Sequence, residues 1–228
     1  KQFRADRRSD AIREELIERA GVPNDAVLLL YAGRISPEKN IPLLIEMMKI
    51  LAKDADRDFR LIVAGAGPLA ETLEAEGRTL GEKKIVQLGH LDKETLANYY
   101  ANSDVFVHPN PREPFGIAPL EAMASGVATV APNAGGILSY ATTENIWLTE
   151  PNAEAFAAAV RDAATNEALR EQRISAALET ARNNTREAST DNLFATYDKL
   201  YDYFQRNRDL FTDREAASRF SFNELLDA

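Results

Sequence analysis

Two carboxylates eight positions apart, Glu113 and Glu121, stand within one stretch of this 228-residue sequence. Glu113 falls in the proline-rich loop after a short apolar run, and Glu121 falls inside the next helical stretch. The two can therefore contact different parts of one elongated ligand. Gly116 lets that ligand approach the helix start, where free N–H groups favour a phosphate. Taken singly, Glu121 also fits a helix-stabilising role and Glu113 a solvated one, but their joint occurrence favours a binding site.

Two cations lie in an earlier loop that joins an apolar run to a helical stretch. Arg34 follows Gly33, and Lys39 comes five positions later. A guanidinium can bind two phosphate oxygens at once, an ammonium acts as a point charge, and the following helix start adds N–H donors. The loop therefore suits a diphosphate. The alternative is a solvated turn with surface cations.

Two other loops contain glycines at the ends of predicted strands. The segment 65–70, which begins with Gly65, formally matches the Gly-x-Gly-x-x-Ala fingerprint of dinucleotide sites. An NAD site also needs an acidic residue about 20 positions later, and segment 87–90 contains none. We therefore interpret these glycines as allowing close backbone approach. Gly135 and Gly136 either let backbone close over a ligand or form a plain turn.

The two histidines fall in different settings. His90 and Leu91 follow the third predicted strand, where free backbone groups could pair with the edge of a planar base. No residue at a ligand-like spacing makes His90 a metal ligand. His108 ends a buried run, and a hydrogen-bonded structural histidine is favoured there over a catalytic one.

Short β-rich runs alternate with longer amphipathic stretches from residue 26 onward, which predicts a doubly wound, Rossmann-like parallel sheet of about six strands with helices on both faces. The predicted strands are 28–32, 61–64, 85–88, 105–107, 127–131 and 146–148. The predicted helices are 41–52, 68–80, 94–101, 117–125, 153–164, 168–181 and 185–208, and prolines 42 and 68 are placed in first helical turns. We expect an entry segment and helix at 1–25, a core at 26–165 and a helical extension with a tail at 166–228. Ligands of such sheets bind beyond the carboxyl ends of the strands.

The composition excludes several classes of protein. Forty-five per cent hydrophobic and 28% charged residues are typical of a folded globular chain. With 36 acidic and 27 basic residues, the net charge of −9 disfavours nucleic acid as a partner. The absence of cysteine and the presence of only two histidines disfavour disulfides and metal sites. No apolar run is long enough to span a bilayer, so we expect a cytoplasmic protein.

These motifs, taken together, resemble the C-terminal half of family 4 glycosyltransferases, which have the GT-B fold. The resemblance covers roughly residues 27–160. It is carried by Tyr31-Ala32-Gly33-Arg34 with Lys39-Asn40, by Gly65-Ala66-Gly67-Pro68, and by Glu113-Pro114-Phe115-Gly116 with Leu120-Glu121-Ala122-Met123-Ala124-Ser125-Gly126.

The resemblance implies a nucleoside-diphosphate sugar as the substrate, no cofactor, no metal, and transfer with retention at the anomeric carbon. Arg34 and Lys39 would hold the diphosphate, Glu121 the ribose hydroxyls, and Glu113 the donor sugar, as a chemically active or a positioning group. Backbone N–H groups around Gly116, Ile117 and Ala118 would meet phosphate or sugar oxygens, and Gly33 and Gly65 are further expected contacts of the donor. The strip at His90 and Leu91 would frame the base.

Two departures from the family concern the later loops, which read Ile137-Leu138-Ser139 and Asn145-Ile146-Trp147. The larger departure is that nothing here supplies the N-terminal, acceptor-binding domain, and the chain begins at Lys1 without Met. We therefore expect half an enzyme that binds a donor but does not transfer sugar alone to its unidentified acceptor. Peripheral attachment at the inner membrane face is expected only through the absent domain.

Three alternatives stay open at this point. They are a noncatalytic nucleotide-binding module, an epimerase or phosphorylase of the GT-B type, and an unrelated oxidoreductase with a Rossmann fold.

Overall fold

The computed structural model describes residues 2–213 and residue 215, and it divides the chain into two compact units, Lys1–Arg182 and Asn183–Ala228. The predicted domain limits at residues 25 and 165 stay predictions. Most of the predicted tail at 211–228 lies outside the described residues.

The first unit is built on a six-stranded, entirely parallel sheet, which confirms the predicted fold class. The strands are β1 Val27–Ala32, β2 Phe59–Ala64, β3 Ile85–Gly89, β4 Val105–Val107, β5 Ala128–Pro132 and β6 Trp147–Thr149. Their order in the sheet is β3-β2-β1-β4-β5-β6. The chain therefore reverses its direction of winding between β1 and β4, and this is the switch point at which doubly wound sheets bind ligands.

Both faces of the sheet are buried, because alternate residues of each strand enter different cores. In β1, Leu28 and Leu30 pack into one core, while Leu29 and Tyr31 pack into the other. Leu29 pairs in register with Leu61 of β2. This double burial explains why the strands are nearly continuous apolar runs without alternation.

Eight helices accompany the strands in the described part of the chain. They are α1 Asp10–Ala20, α2 Ile41–Leu51, α3 Ala70–Thr79, α4 Lys93–Asn102, α5 Ile117–Ala124, α6 Ala153–Thr165, α7 Glu167–Asn183 and α8 Arg186–Arg206. Helices α1, α4 and α5 cover one face of the sheet, and α2, α3 and α6 cover the other. The guanidinium of Arg13 in α1 contacts both carboxylate oxygens of Asp104. That carboxylate also accepts the Leu28 N–H at 2.8 Å, which fixes α1 to the amino ends of β1 and β4.

One predicted boundary is wrong. Pro68 does not lie in the first turn of α3, because α3 begins at Ala70. The Leu69 N–H donates to the Ile35 oxygen at 3.0 Å, and the Ala70 N–H closes a turn onto Gly67. A contact with the loop after β1 thus replaces the first helical turn expected from the proline.

The second unit contains α8, which confirms the last predicted helix with slightly shorter limits. A short 3-10 turn, Arg208–Phe211, follows it. Among the residues described, no helix combines the length and apolarity that crossing a membrane requires.

Candidate functional site

The predicted site residues converge at the carboxyl ends of β1 and β4, on both sides of the switch point. A cavity of about 560 Å³ opens there. Eight of the predicted residues line it: Gly33, Arg34, Lys39, Glu113, Gly116, Ile117, Ala118 and Glu121. A smaller cavity of about 360 Å³ shares Gly33 and Arg34 with the first and is lined by the other three, Gly65, His90 and Leu91. The structure thus brings all of them together along one cleft, while their individual roles stay predictions.

Glu113 is held in the cleft by two polar side chains, one from the loop after β1 and one from its own loop. Its Oε2 accepts a hydrogen bond from Lys39 Nζ at 2.7 Å and another from Asn110 Nδ2 at 3.0 Å. Partial burial acts to raise the pKa of Glu113, but the two donors outweigh it and hold that pKa below its ordinary value. Glu113 is therefore an ionised carboxylate paired with one of the two predicted phosphate-binding cations.

His108 lies behind this pair and departs from its prediction. Only 5% of the residue is exposed, and its Nε2 has no hydrogen-bond partner. The expectation of a hydrogen-bonded structural histidine is wrong for this atom. Nε2 is 3.9 Å from Glu113 Oε2, beyond hydrogen-bond distance. Burial lowers the pKa of His108 to about 4; the charge of Glu113 opposes this change and the charge of Lys39 adds to it. The imidazole is therefore neutral at pH 7.

Glu121, which belongs to α5, also lines the cavity. Burial raises the pKa of Glu121 to about 7, and the charge of Lys93 opposes the rise only in part. The carboxyl group is therefore divided between its acid and its ionised form near neutral pH. Burial deprives this carboxylate of hydrating water, so hydrogen bonds donated by the hydroxyls of a ligand would stabilise its ionised form.

The two predicted cations differ in their surroundings. The Arg34 side chain is 68% exposed, whereas Lys39 is 29% exposed and paired with Glu113. The Tyr31 hydroxyl fixes the backbone next to Arg34 by donating to its carbonyl oxygen at 2.8 Å. Asn40, which follows Lys39 in the sequence, donates from its side-chain amide to the Pro109 carbonyl oxygen at 3.0 Å. This bond connects the loop after β1 with the loop after β4. Tyr31 and Asn40 stand in the motifs of the sequence, but no role was predicted for either.

The start of α5 depends on Gly116 and on a residue that the sequence analysis missed. Gly116 has a φ of 88°, and a Cβ there would lie 2.8 Å from the Tyr140 hydroxyl oxygen. The same hydroxyl donates to the Gly116 carbonyl oxygen. The N–H groups of Ile117 and Ala118 stand in the first turn of α5, where a helix has no internal acceptors for them. No local signal in the sequence connects Tyr140 with a glycine 24 positions earlier.

Glycines let the loops of the cleft pack directly against the backbone of neighbouring loops. A Cβ on Gly65 would lie 1.9 Å from the Gly33 oxygen, and one on Gly67 would lie 2.3 Å from the Ile35 oxygen. The interpretation of this Gly-x-Gly segment as a close backbone approach is confirmed. In the later loop, a Cβ on Gly136 would lie 1.7 Å from the Pro114 oxygen. The latter glycine thus supports the loop that carries Glu113.

The described residues contain no group of three or more acidic or histidine side chains that could hold a metal ion. The positive charge of the cleft comes from Arg34, Lys39 and the start of α5. Another cavity, of about 630 Å³, lies between α3 and β3. None of the residues that line it, Gln87 among them, belongs to the predicted site.

Comparison with known proteins gives a family model, described as glycosyl transferases group 1, that matches residues 12–180. A GDP-mannose-dependent alpha-(1-6)-phosphatidylinositol dimannoside mannosyltransferase of Mycobacterium tuberculosis is 35% identical over 136 residues, which cover 59% of this chain and 35% of that protein. The chain spans about a third of the length of the curated relatives that it matches first.

Two solved structures share the fold. The Anabaena protein HepE, in complex with UDP and glucose, aligns with a TM-score of 0.71 at 23% identity, over 85% of this chain and 54% of that one. The C-terminal domain of a glycosyl transferase group 1 family protein, LpcC from Francisella tularensis, aligns with a TM-score of 0.65 at 23% identity, over 75% of this chain and 92% of that one.

Proposed function

Because this chain belongs to the group 1 glycosyl transferases, we propose that it is the donor-binding half of a retaining enzyme. That enzyme moves a sugar from a nucleoside-diphosphate sugar to an acceptor hydroxyl, in glycan or glycolipid synthesis. One observation carries the proposal: the cations of the β1 loop and the carboxylates that follow β4 line one cavity at the switch point.

The cleft has the polarity that such a donor requires. Arg34, Lys39 and the first N–H groups of α5 bind the diphosphate. Glu121 accepts hydrogen bonds from the ribose hydroxyls, and the smaller cavity at His90 takes the base. Glu113 contacts the donor sugar.

The chemistry assigned to these groups is electrostatic. When the bond between the anomeric carbon and the diphosphate oxygen breaks, the electron pair leaves with the diphosphate. The two cations and the helix start stabilise the charge that develops there. The acceptor oxygen then bonds to the same face of the anomeric carbon, and its proton passes to the oxygen of the departing diphosphate. Glu113, held as a carboxylate by Lys39 and Asn110, keeps the sugar oriented during this exchange.

The acceptor site and closure of the cleft are assigned to an N-terminal domain outside this chain. The short span relative to the curated relatives supports this part of the proposal, as does the extensive overlap with an isolated C-terminal domain. The 228-residue chain is then expected to bind a donor and to transfer no sugar. Sugar transfer by this chain in a radiolabelled-donor assay would contradict this part.

Calorimetric titration of the chain with UDP, GDP, ADP and NAD tests the proposal. We expect saturable binding of one nucleoside diphosphate, and loss of that binding in an Arg34→Ala, Glu121→Ala variant. A matched control is Glu74→Ala with Arg78→Ala, because these residues form an exposed ion pair on α3 outside the cleft. The proposal is wrong if no nucleoside diphosphate binds or if the double variant in the cleft binds as the wild type does. Binding of NAD alone would indicate an oxidoreductase.

A further inference from the structure

We propose that His108 is a positioning residue that replaces Lys39 as the hydrogen-bond partner of Glu113 when a diphosphate enters the cleft. The inference rests on the proposed function, in which Lys39 binds phosphate. It adds an exchange of hydrogen-bond partners. When the diphosphate attracts Lys39 away from Glu113, His108 takes its place and keeps the Glu113 carboxylate in position.

The first reason is that His108 Nε2 is buried without a hydrogen-bond partner. Leaving a buried polar atom unpaired is unfavourable, so such atoms in native proteins call for an explanation. A partner that becomes available only in another state of the site is one explanation. The atom lies beside the loops that form the cavity, so a ligand-dependent partner is within reach.

The second reason is the position of Glu113. Its Oε2 lies 3.9 Å from His108 Nε2, so an approach of about 1 Å would bring the two atoms to a normal hydrogen-bond distance. At present that oxygen already accepts bonds from Lys39 and Asn110. A carboxylate oxygen has two lone pairs, so departure of the ammonium frees the acceptor site that His108 lacks.

The third reason is charge. A neutral imidazole carries one N–H, and the exchange requires the tautomer with its proton on Nε2. A neutral donor satisfies Glu113 without adding a cation to the cleft. Lys39 can then give its full charge to the phosphate, while Asn110 and His108 hold the carboxylate.

The chain is well suited to a direct spectroscopic test, because it has only two histidines. Proton NMR of the imidazole N–H groups is recorded for the ligand-free wild type, for the wild type with saturating UDP, GDP or ADP, and for a Lys39→Met variant without ligand. A His108→Gln variant identifies the His108 signal by its loss. We expect a low-field N–H signal, protected from solvent exchange, in Lys39→Met and with the nucleotide that binds, and none in the free wild type.

A second substitution checks the acceptor. In Lys39→Met with Glu113→Leu the signal is expected to vanish, while the melting temperature reports whether the double variant is folded. If Lys39→Met shows no protected signal, the exchange is refuted whether or not any nucleotide binds. If a nucleotide binds to the wild type and no signal follows, the exchange is likewise refuted. If no nucleotide binds, the proposed function fails and Lys39→Met alone decides the inference.

Calorimetry supplies the functional readout. His108→Leu removes the donor and is expected to weaken nucleotide affinity about tenfold, the loss expected for one hydrogen bond to a charged acceptor. His108→Gln retains an N–H donor and is expected to recover most of that affinity. A merely structural histidine would give equal losses in both variants, and that result would contradict a positioning role.

Discussion

Replacement of Glu121 by glutamine is expected to stabilise the protein at high pH and to leave its stability unchanged at low pH. Burial raises the pKa of this carboxyl group from 4.5 to about 7 in the folded chain. Between these two values the folded state binds more protons than the unfolded state does, so this group makes stability fall as the pH rises. Above pH 7 the full cost of keeping a half-buried charge is present, and below about pH 4.5 it is absent.

The size of the effect follows from the same difference in pKa. The rise in the pKa of Glu121 on folding corresponds to roughly 3 kcal/mol of unfolding free energy. The side chain retains some contact with water in the open cleft, so we expect about 1–2 kcal/mol from Glu121→Gln at pH 8. Glutamine has nearly the same size and helix propensity as glutamate, so packing of α5 is preserved.

Urea denaturation at pH 5 and at pH 8, followed by fluorescence, measures the difference. The single tryptophan, Trp147, is a suitable probe because its indole N–H donates to Asp162 at 2.7 Å and the Arg173 guanidinium lies 4.4 Å from its ring centre. Glu71→Gln on the exposed surface of α3 is the matched control. Equal midpoints for Glu121→Gln and wild type at pH 8, or a gain that does not depend on pH, would refute the reasoning.

Three further substitutions test other contacts. Gly136→Ala is expected to lower the free energy of unfolding by about 2 kcal/mol or more, because its Cβ would meet a backbone carbonyl oxygen at 1.7 Å; an unchanged urea midpoint would contradict this. Arg13→Ala leaves Asp104 without its bidentate partner and is expected to cost roughly 1–3 kcal/mol in the same assay. Tyr140→Phe removes the hydroxyl that donates to Gly116 and is expected to cost about 1 kcal/mol. Calorimetry would show whether it also weakens nucleotide binding, and unaltered stability and binding would argue against a role for this hydroxyl.

Much of the fold could be predicted because burial on both faces gives the strands a clear signature. The runs around Leu29 and Leu61 are apolar at nearly every position, and helical stretches of suitable length separate them. The start of α3 was predicted wrongly at Pro68 because a contact between distant loops determines it. A proline is a local signal, whereas the bond from the Leu69 N–H to Ile35 joins two loops that are remote in sequence.

The site was predictable in its location but not in its connections. Charged residues after successive strands must meet at one edge of a parallel sheet, so the cleft followed from topology. The pairing of Lys39 with Glu113 spans 74 positions, and the unpaired nitrogen of His108 depends on the atoms that surround it. Composition and spacing carry no information about either.

The contact between Gly65 and Gly33 has a consequence for the construction of chimaeric enzymes. Because the two loops touch backbone to backbone, with no side chain between them to absorb a change of shape, neither can be exchanged for a relative's loop alone without a mismatch. Segments 33–40 and 65–70 therefore form a single cassette, and under the proposed function altered donor preference is best sought by grafting both together.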